Sequence, residues 1–207
     1  MPRHLDYFLS LSSPWAYMGH AILLDIARRH ELSLTYKPVF LGNIFAETGG
    51  LPLPKRHPAR QRYRLVELQR WRERRNLSFN VRPKFWPFDV NTADRFVAAV
   101  AMSGADPGAF IGRAFAAIWE KEQNLGDEAV ILRLAQEAGL DGPALLRVAK
   151  SDAAEAAYEQ NFRDAVSADV FGSPSYVLDG EVFWGQDRLD FLEEALQNRR
   201  LPYSSVV

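Results

Sequence analysis

The chain has no cysteine. That absence excludes disulfides, CxxC redox exchange, a thiolate nucleophile and a cysteine-ligated metal. An excess of one charge is lacking too: 25 basic side chains stand against 26 acidic ones, a formal net charge of −1. No global field draws such a chain to nucleic acid or to an anionic membrane. It holds no uninterrupted apolar run of about 18 residues, the length a spanning helix needs. The opening residues Met1-Pro2-Arg3-His4-Leu5-Asp6 carry no apolar signal core. The expectation is a cytoplasmic protein that engages neither membrane nor nucleic acid. Its histidines, His4, His20, His30 and His57, show no HExxH or other paired ligand spacing, so no metal is expected. G-x-G-x-x-G, Walker A and G-x-S-x-G sequences are also missing.

What is present is a core: 47% of the 207 residues are apolar, enough for one domain, or one domain with a large insertion. Tyr7-Phe8-Leu9 with Leu11 predicts a buried strand over 5–11. Ser13-Pro14 then starts a helix that runs to about Arg29. Leu32–Leu41 alternates and predicts a second strand, so the opening is βαβ with a parallel pair. The Gly- and Pro-rich stretch 42–56 predicts a loop. A helical pattern follows from Pro58 to about Arg75, then an irregular stretch, Asn76–Val90. Further helices are predicted over Arg95–Met102 (capped by Asn91-x-x-Asp94), Pro107–Glu122, Glu128–Ala138, Asp141–Lys150 and Asp152–Ala168. Ser175–Leu178 and Glu181–Trp184 flank Asp179-Gly180 and predict a hairpin. Gln186-Asp187 then caps a last helix to Gln197. The two β-containing ends, 1–43 and 162–207, are expected to share one sheet, with an all-helical insertion over 44–161 between them.

Four stretches carry possible chemistry. Ser13-Pro14 is a helix N-cap, or a hydroxyl at a positive helix end that receives an anion. It has no local base, since His20 lies two turns on, roughly 10 Å along the helix. Hydrogen-bond donation therefore suits Ser13 better than nucleophilic attack. Gly172-Ser173-Pro174 is an ordinary loop proline, or a cis-proline whose turned backbone lets Ser173 offer N–H and C=O to an extended ligand. Trp184-Gly185-Gln186-Asp187-Arg188 is a turn with a cap, or a helix start that receives a carboxylate while Asp187 pairs with an ammonium. Lys55–Arg75 holds nine cations against Glu67 and Glu73, a solvated face from which a few side chains reach a ligand carboxylate.

Taken together, the βαβ–helices–ββα order, Ser13-Pro14-Trp15-Ala16 after the first strand and Ser173-Pro174 before the third resemble the thioredoxin-like fold of the DsbA type. Ser-Pro-Trp-Ala stands where a redox member carries Cys-Pro-x-Cys. Within that group the chain is similar to the 2-hydroxychromene-2-carboxylate isomerases and the kappa-class glutathione transferases. The matching stretches are Tyr7–Tyr17, Val170–Ser175 and Phe183–Leu189. The resemblance implies reduced glutathione as cofactor, with its thiol at Ser13. Ser173, before a cis-Pro174, would pair with its cysteinyl backbone, and Gln186 and Asp187 would hold its γ-glutamyl end. Its glycine carboxylate would face the helical lobe, where Arg60 stands for the family's lysine, Glu67 for an aspartate and Gly50 for an asparagine. Trp15, Tyr17 and Trp86 are available to line a pocket for an aromatic enone substrate.

The activity so implied is glutathione-dependent cis–trans isomerisation of an aromatic-catabolism intermediate, by reversible thiolate addition to a conjugated enone. A kappa-like transferase or peroxidase is the alternative. A non-catalytic module that holds an extended peptide along the Pro174 edge is a third. A homodimer is implied by the resemblance alone.

Overall fold

The computed structural model describes residues 3–204. Residues 1 and 2 and the last three of the chain, where parts of the readings of the opening and of the terminal segment fall, lie outside the described residues. Strand β1 (His4–Leu9) buries Leu5, Tyr7, Phe8 and Leu9 completely. It is a central strand covered on both faces, so its sequence is an apolar run rather than an alternation. Helix α1 (Pro14–Arg29) starts at Ser13, whose hydroxyl accepts the Ala16 N–H at 3.2 Å, with Pro14 in the first turn. Strand β2 (Ser33–Pro38) pairs in parallel with β1, His4 opposite Ser33 and Leu9 opposite Pro38.

Seven helices follow: α2 (Leu41–Thr48), α3 (Pro58–Arg74), α4 (Asn91–Met102), α5 (Gly108–Trp119), α6 (Glu128–Glu137), α7 (Gly142–Ala149) and α8 (Asp152–Ser167). The chain then returns to the sheet. Strand β3 (Ser175–Leu178) pairs antiparallel with β1, and β4 (Glu181–Trp184) pairs antiparallel with β3, in the order β2-β1-β3-β4. Asp179 and Gly180 at the hairpin turn both have positive φ, 51° and 87°, which is why Asp-Gly stands there. Helix α9 (Leu189–Gln197) closes the fold against α1. This is the DsbA-like thioredoxin fold.

One buried cluster joins Leu5, Tyr7 and Tyr176 of the sheet to Phe96, Phe110, Phe115 and Trp119 of α4 and α5. On the other face of the sheet Phe8, Val39, Ile44, Val170 and Val177 form a second cluster. Among the described residues no helix is long and apolar enough to cross a membrane.

Several boundaries depart from the sequence expectation. The predicted loop 42–56 begins with helix α2, which buries Ile44 and ends where Gly49 takes φ +78°. The glycines and prolines of 49–54 had masked it. The second strand ends at Pro38, which has no N–H to extend the ladder. Ser151, rather than Asp152, caps α8. The Gln186–Arg188 segment is a 3₁₀ turn with no side-chain cap, so the last helix begins only at Leu189. Asn91 does not cap α4: the cap position is Val90, with no side-chain bond, and Asp94 faces inward.

Candidate active site

Beyond β1 the chain turns through Ser10–Ser13 into α1, and the turn closes with Ser13 N–H donating to Ser10 O at 3.0 Å. The Ser13 hydroxyl donates to the Ser173 carbonyl at 3.0 Å and is only 3% exposed. In return Ser10 N–H donates to the Ser173 hydroxyl at 3.0 Å. The Ser173–Pro174 bond is cis, and the Pro174 carbonyl accepts Gly185 N–H at 2.9 Å. Residues 10–13, 173–174 and 185–187 are thereby stitched into one surface at the positive end of α1. That end favours an anion.

Gln186 and Asp187 stand differently within it. Gln186 is 1% exposed, and its side-chain oxygen accepts Arg75 Nε at 2.7 Å. Its carbonyl accepts Arg75 Nη2 at 3.1 Å. The Asp187 carboxylate is exposed and pairs with Arg188 at 2.7 Å. Gly19 of α1 lets this turn approach: a Cβ there would lie 2.9 Å from Gln186 Cβ and 2.7 Å from Tyr176 Oη. Arg75, which organises the turn, was hidden in the sequence as one cation of a basic run.

The helical lobe approaches from the other side. Trp86, joined to Pro87 by a cis bond, donates its indole N–H to the Ser12 carbonyl at 3.0 Å. The Arg64 guanidinium lies 5.1 Å from the Trp86 ring centre. Burial, then the charge of Arg56, pull the Arg64 pKa down to about 10, so it stays a cation at neutral pH. Arg60 is exposed, and its charge in turn lowers the Arg56 pKa after burial has done so. None of Arg56, Arg60 and Arg64 has a carboxylate partner among the described residues. Glu67 is instead paired with Arg70, and Gly50 sits against Phe45.

Of the aromatic residues singled out for a pocket, Trp86 alone among the described residues bonds the Ser10–Ser13 turn through its side chain. Trp15 is half-buried against the main core. Tyr17 is nearly buried, stacked on Phe79, and donates to Glu120 at 2.9 Å. Burial, then that bond, push its pKa well up, so it stays a neutral phenol.

Asp94 is a site residue that sequence reasoning read as a helix cap. It is fully buried under the Ser10–Ser13 turn. Its carboxylate accepts Leu11 N–H and Ser10 Oγ, both at 2.9 Å, and Tyr158 Oη at 3.2 Å. Burial pushes its pKa up to about 7, against the three hydrogen bonds that lower it.

A groove of about 1380 Å³ lies at the opposite end of the sheet, by Arg3, Ser33, Asp179 and Arg200. Arg3 and Arg200 there are paired with Asp179 and Glu181. It shares no residue with the Ser13 surface.

A family model for the DSBA-like thioredoxin domain matches residues 4–197. The 2-hydroxychromene-2-carboxylate isomerase of Sphingobium xenophagum is 28% identical over 198 residues, covering 95% of this chain and 99% of that protein. Glutathione S-transferase kappa 1 of Rattus norvegicus is 24% identical, covering 92% of this chain and 89% of its own length. A solved structure of a 2-hydroxychromene-2-carboxylate isomerase superposes with a TM-score of 0.79 at 25% identity, covering 95% of each chain.

Proposed function

The chain belongs to the DsbA-like thioredoxin family, and from that premise we propose that it is a glutathione-dependent cis–trans isomerase of the 2-hydroxychromene-2-carboxylate type. One observation carries the reading. The hydroxyl of Ser13 sits at the start of α1 beside cis-Pro174, in a chain without cysteine. Such a surface receives a thiolate from outside instead of supplying one.

The residues fit glutathione on the chemistry of their donors. Ser173 N–H, with no backbone acceptor among the described residues, is free for a cysteinyl carbonyl. Asp187 is exposed at the turn and suits an α-ammonium. The cluster of Arg56, Arg60 and Arg64 suits a carboxylate, the glycine end of the cofactor or an acidic substrate. Bound glutathione supplies a thiolate that adds reversibly to a conjugated carbon, so that a double bond becomes single, rotates, and re-forms when the thiolate leaves. The chain's own part is to favour the anion at the α1 N-terminus, to fix the ligand backbone at Ser173 and to position the electrophile beside Trp86. The same reading makes the protein a cytoplasmic homodimer, the dimer being checked by sedimentation.

Calorimetric titration with reduced glutathione tests the cofactor, and mixing with the chromene carboxylate with and without glutathione tests the reaction. Saturable binding weakened by Asp187→Ala, and a spectral change that needs glutathione but does not consume it, are expected. No binding at millimolar glutathione would sink the reading. The similarity to a kappa-class transferase favours a second one: net consumption of glutathione with a chloronitrobenzene or a hydroperoxide would establish it.

A further inference from the structure

Three hydroxyl-bearing residues line the turn before α1, and they are not equivalent. Ser10 is fully buried and Ser13 is 3% exposed, with its proton directed to the Ser173 carbonyl. Ser12 alone is part-exposed. Its hydroxyl lies 3.0 Å from Ser10 Oγ, and Ser10 Oγ lies 2.9 Å from Asp94 Oδ2. The three groups form a chain from a buried carboxyl to the surface of the site. Each hydroxyl has one proton to give, so the chain has a direction. When Asp94 is ionised it must be served by donors: Ser10 gives its proton to Asp94, and Ser12 gives its own to Ser10. When Asp94 is protonated its O–H can serve Ser10, Ser10 then serves Ser12, and the Ser12 proton is free to point outward.

We propose that Asp94 sets the direction of the Ser10–Ser12 hydroxyl chain, so that Ser12 donates a hydrogen bond to an anion at the site only while Asp94 holds a proton. Asp94 and Ser10 are positioning residues; Ser12 makes the contact. The inference rests on the reading of this surface as a glutathione thiolate site, and gives that site a hydroxyl donor beside Ser13, whose own proton is directed to the Ser173 carbonyl. The groups that face Asp94 are few. Leu11 N–H, Ser10 and Tyr158 touch it, and Arg95 and Asp89 act around Tyr158. α7 and β2 also pack against α4, but no titratable group of theirs perturbs Asp94 among the described residues. Because burial brings its ionisation to about 7, both directions of the chain are populated across the neutral range.

The experiment follows the ionisation of the thiol of bound reduced glutathione by its ultraviolet thiolate absorbance. In the unaltered protein the curve should depart from a single-proton titration, because the thiol becomes harder to ionise once Asp94 loses its proton. Asp94→Asn keeps the shape of the carboxyl, points an amide N–H at Ser10 and fixes the outward direction. It should titrate as one group with an ionisation constant raised about threefold or more. Ser12→Ala keeps the carboxylate and removes the contact, which separates the relay from charge acting through space. In the Ser12→Ala background, Asp94→Asn should leave the bound thiol unchanged. An equal effect in both backgrounds overturns the relay, as does a single-proton curve in the unaltered protein.

The ¹³C resonance of the Asp94 carboxyl gives a second readout. By reciprocity, reduced glutathione should raise the Asp94 pKa and S-methylglutathione should not. Failure of the unaltered protein to bind glutathione overturns the functional reading instead. The relay is then decided in ligand-free protein, where Ser12→Ala must shift the Asp94 titration and an unchanged value overturns it.

Discussion

Asp94→Asn makes the sharpest stability prediction, because the sign is fixed by the direction of one shift. The carboxyl moves from an ordinary value of 3.8 to about 7 in the folded protein, chiefly by burial. Between those values the native state holds a proton that the unfolded chain has released. Stability therefore falls as pH rises through that window, and flattens above the folded value. The whole fall amounts to about 4 kcal/mol, of which about 3 kcal/mol lies between about pH 5 and about pH 8. Asp25, Asp164 and Glu181, whose pKa values are lowered by their basic or hydrogen-bonding partners, pull the other way as acid is added. They are common to both proteins, so the difference between unaltered protein and Asp94→Asn isolates the buried group. Urea unfolding at the two pH values measures it. The expected result is a variant that gains on the parent at the higher pH. A difference that stays constant, or that moves in the parent's favour as pH rises, would refute the reasoning. It would mean that three donors hold the carboxylate ionised throughout.

The remaining predictions concern the walls of the site. Gly19→Ala should destabilise the protein by about 1–2 kcal/mol in urea unfolding, because overpacking against Gln186 and Tyr176 outweighs a helix-propensity gain of under about 1 kcal/mol. Arg75→Ala strips two bonds from the buried Gln186 and should cost about 2 kcal/mol, while calorimetry shows glutathione affinity falling about tenfold. Trp86→Phe keeps a ring beside Arg64 but loses the bond to the Ser12 carbonyl, so a loss of about 1 kcal/mol is expected on denaturation. Arg64→Gln loses the contact with the Trp86 ring and relieves a part-buried cation without a carboxylate partner, so folding should change by under about 1 kcal/mol. Its KM for a carboxylate-bearing electrophile should rise about tenfold, with no change for the methyl ester.

The residues that were legible are those whose signals are local. Ser13 before Pro14, Asp179-Gly180 between two apolar runs, and the Ser-Pro before β3 each announce a backbone conformation within two or three positions. Asp94 obeys the same local grammar and misleads. Asn91-x-x-Asp94 has the spacing of a cap, yet its carboxylate serves Leu11, 83 residues away, and no spacing rule contains that partner. Arg75 is a similar case. Nine cations over Lys55–Arg75 read as a solvated face, and only the 111-residue contact with Gln186 distinguishes this one. Helix α2 was lost for the opposite reason: its eight residues are followed at once by glycines and prolines, and the breakers dominated the window.

Ser13 itself is bounded by the bonds around it. A serine nucleophile needs a base within hydrogen-bond reach. The histidine on its own helix, His20, gives its Nε2 proton to the Gly108 carbonyl at 3.0 Å. Burial, partly offset by that bond, pulls its pKa down to about 4. Its ring is held between Tyr7 and Phe115 inside the core. Among the described residues no base therefore serves Ser13, whose own proton is directed to Ser173 and whose lone pair takes the Ala16 N–H. What is left at the head of α1 is a set of hydrogen-bond donors and the field of the helix, suited to an anion. A chain with no cysteine cannot supply a thiolate there, so a thiolate nucleophile has to arrive with a second molecule.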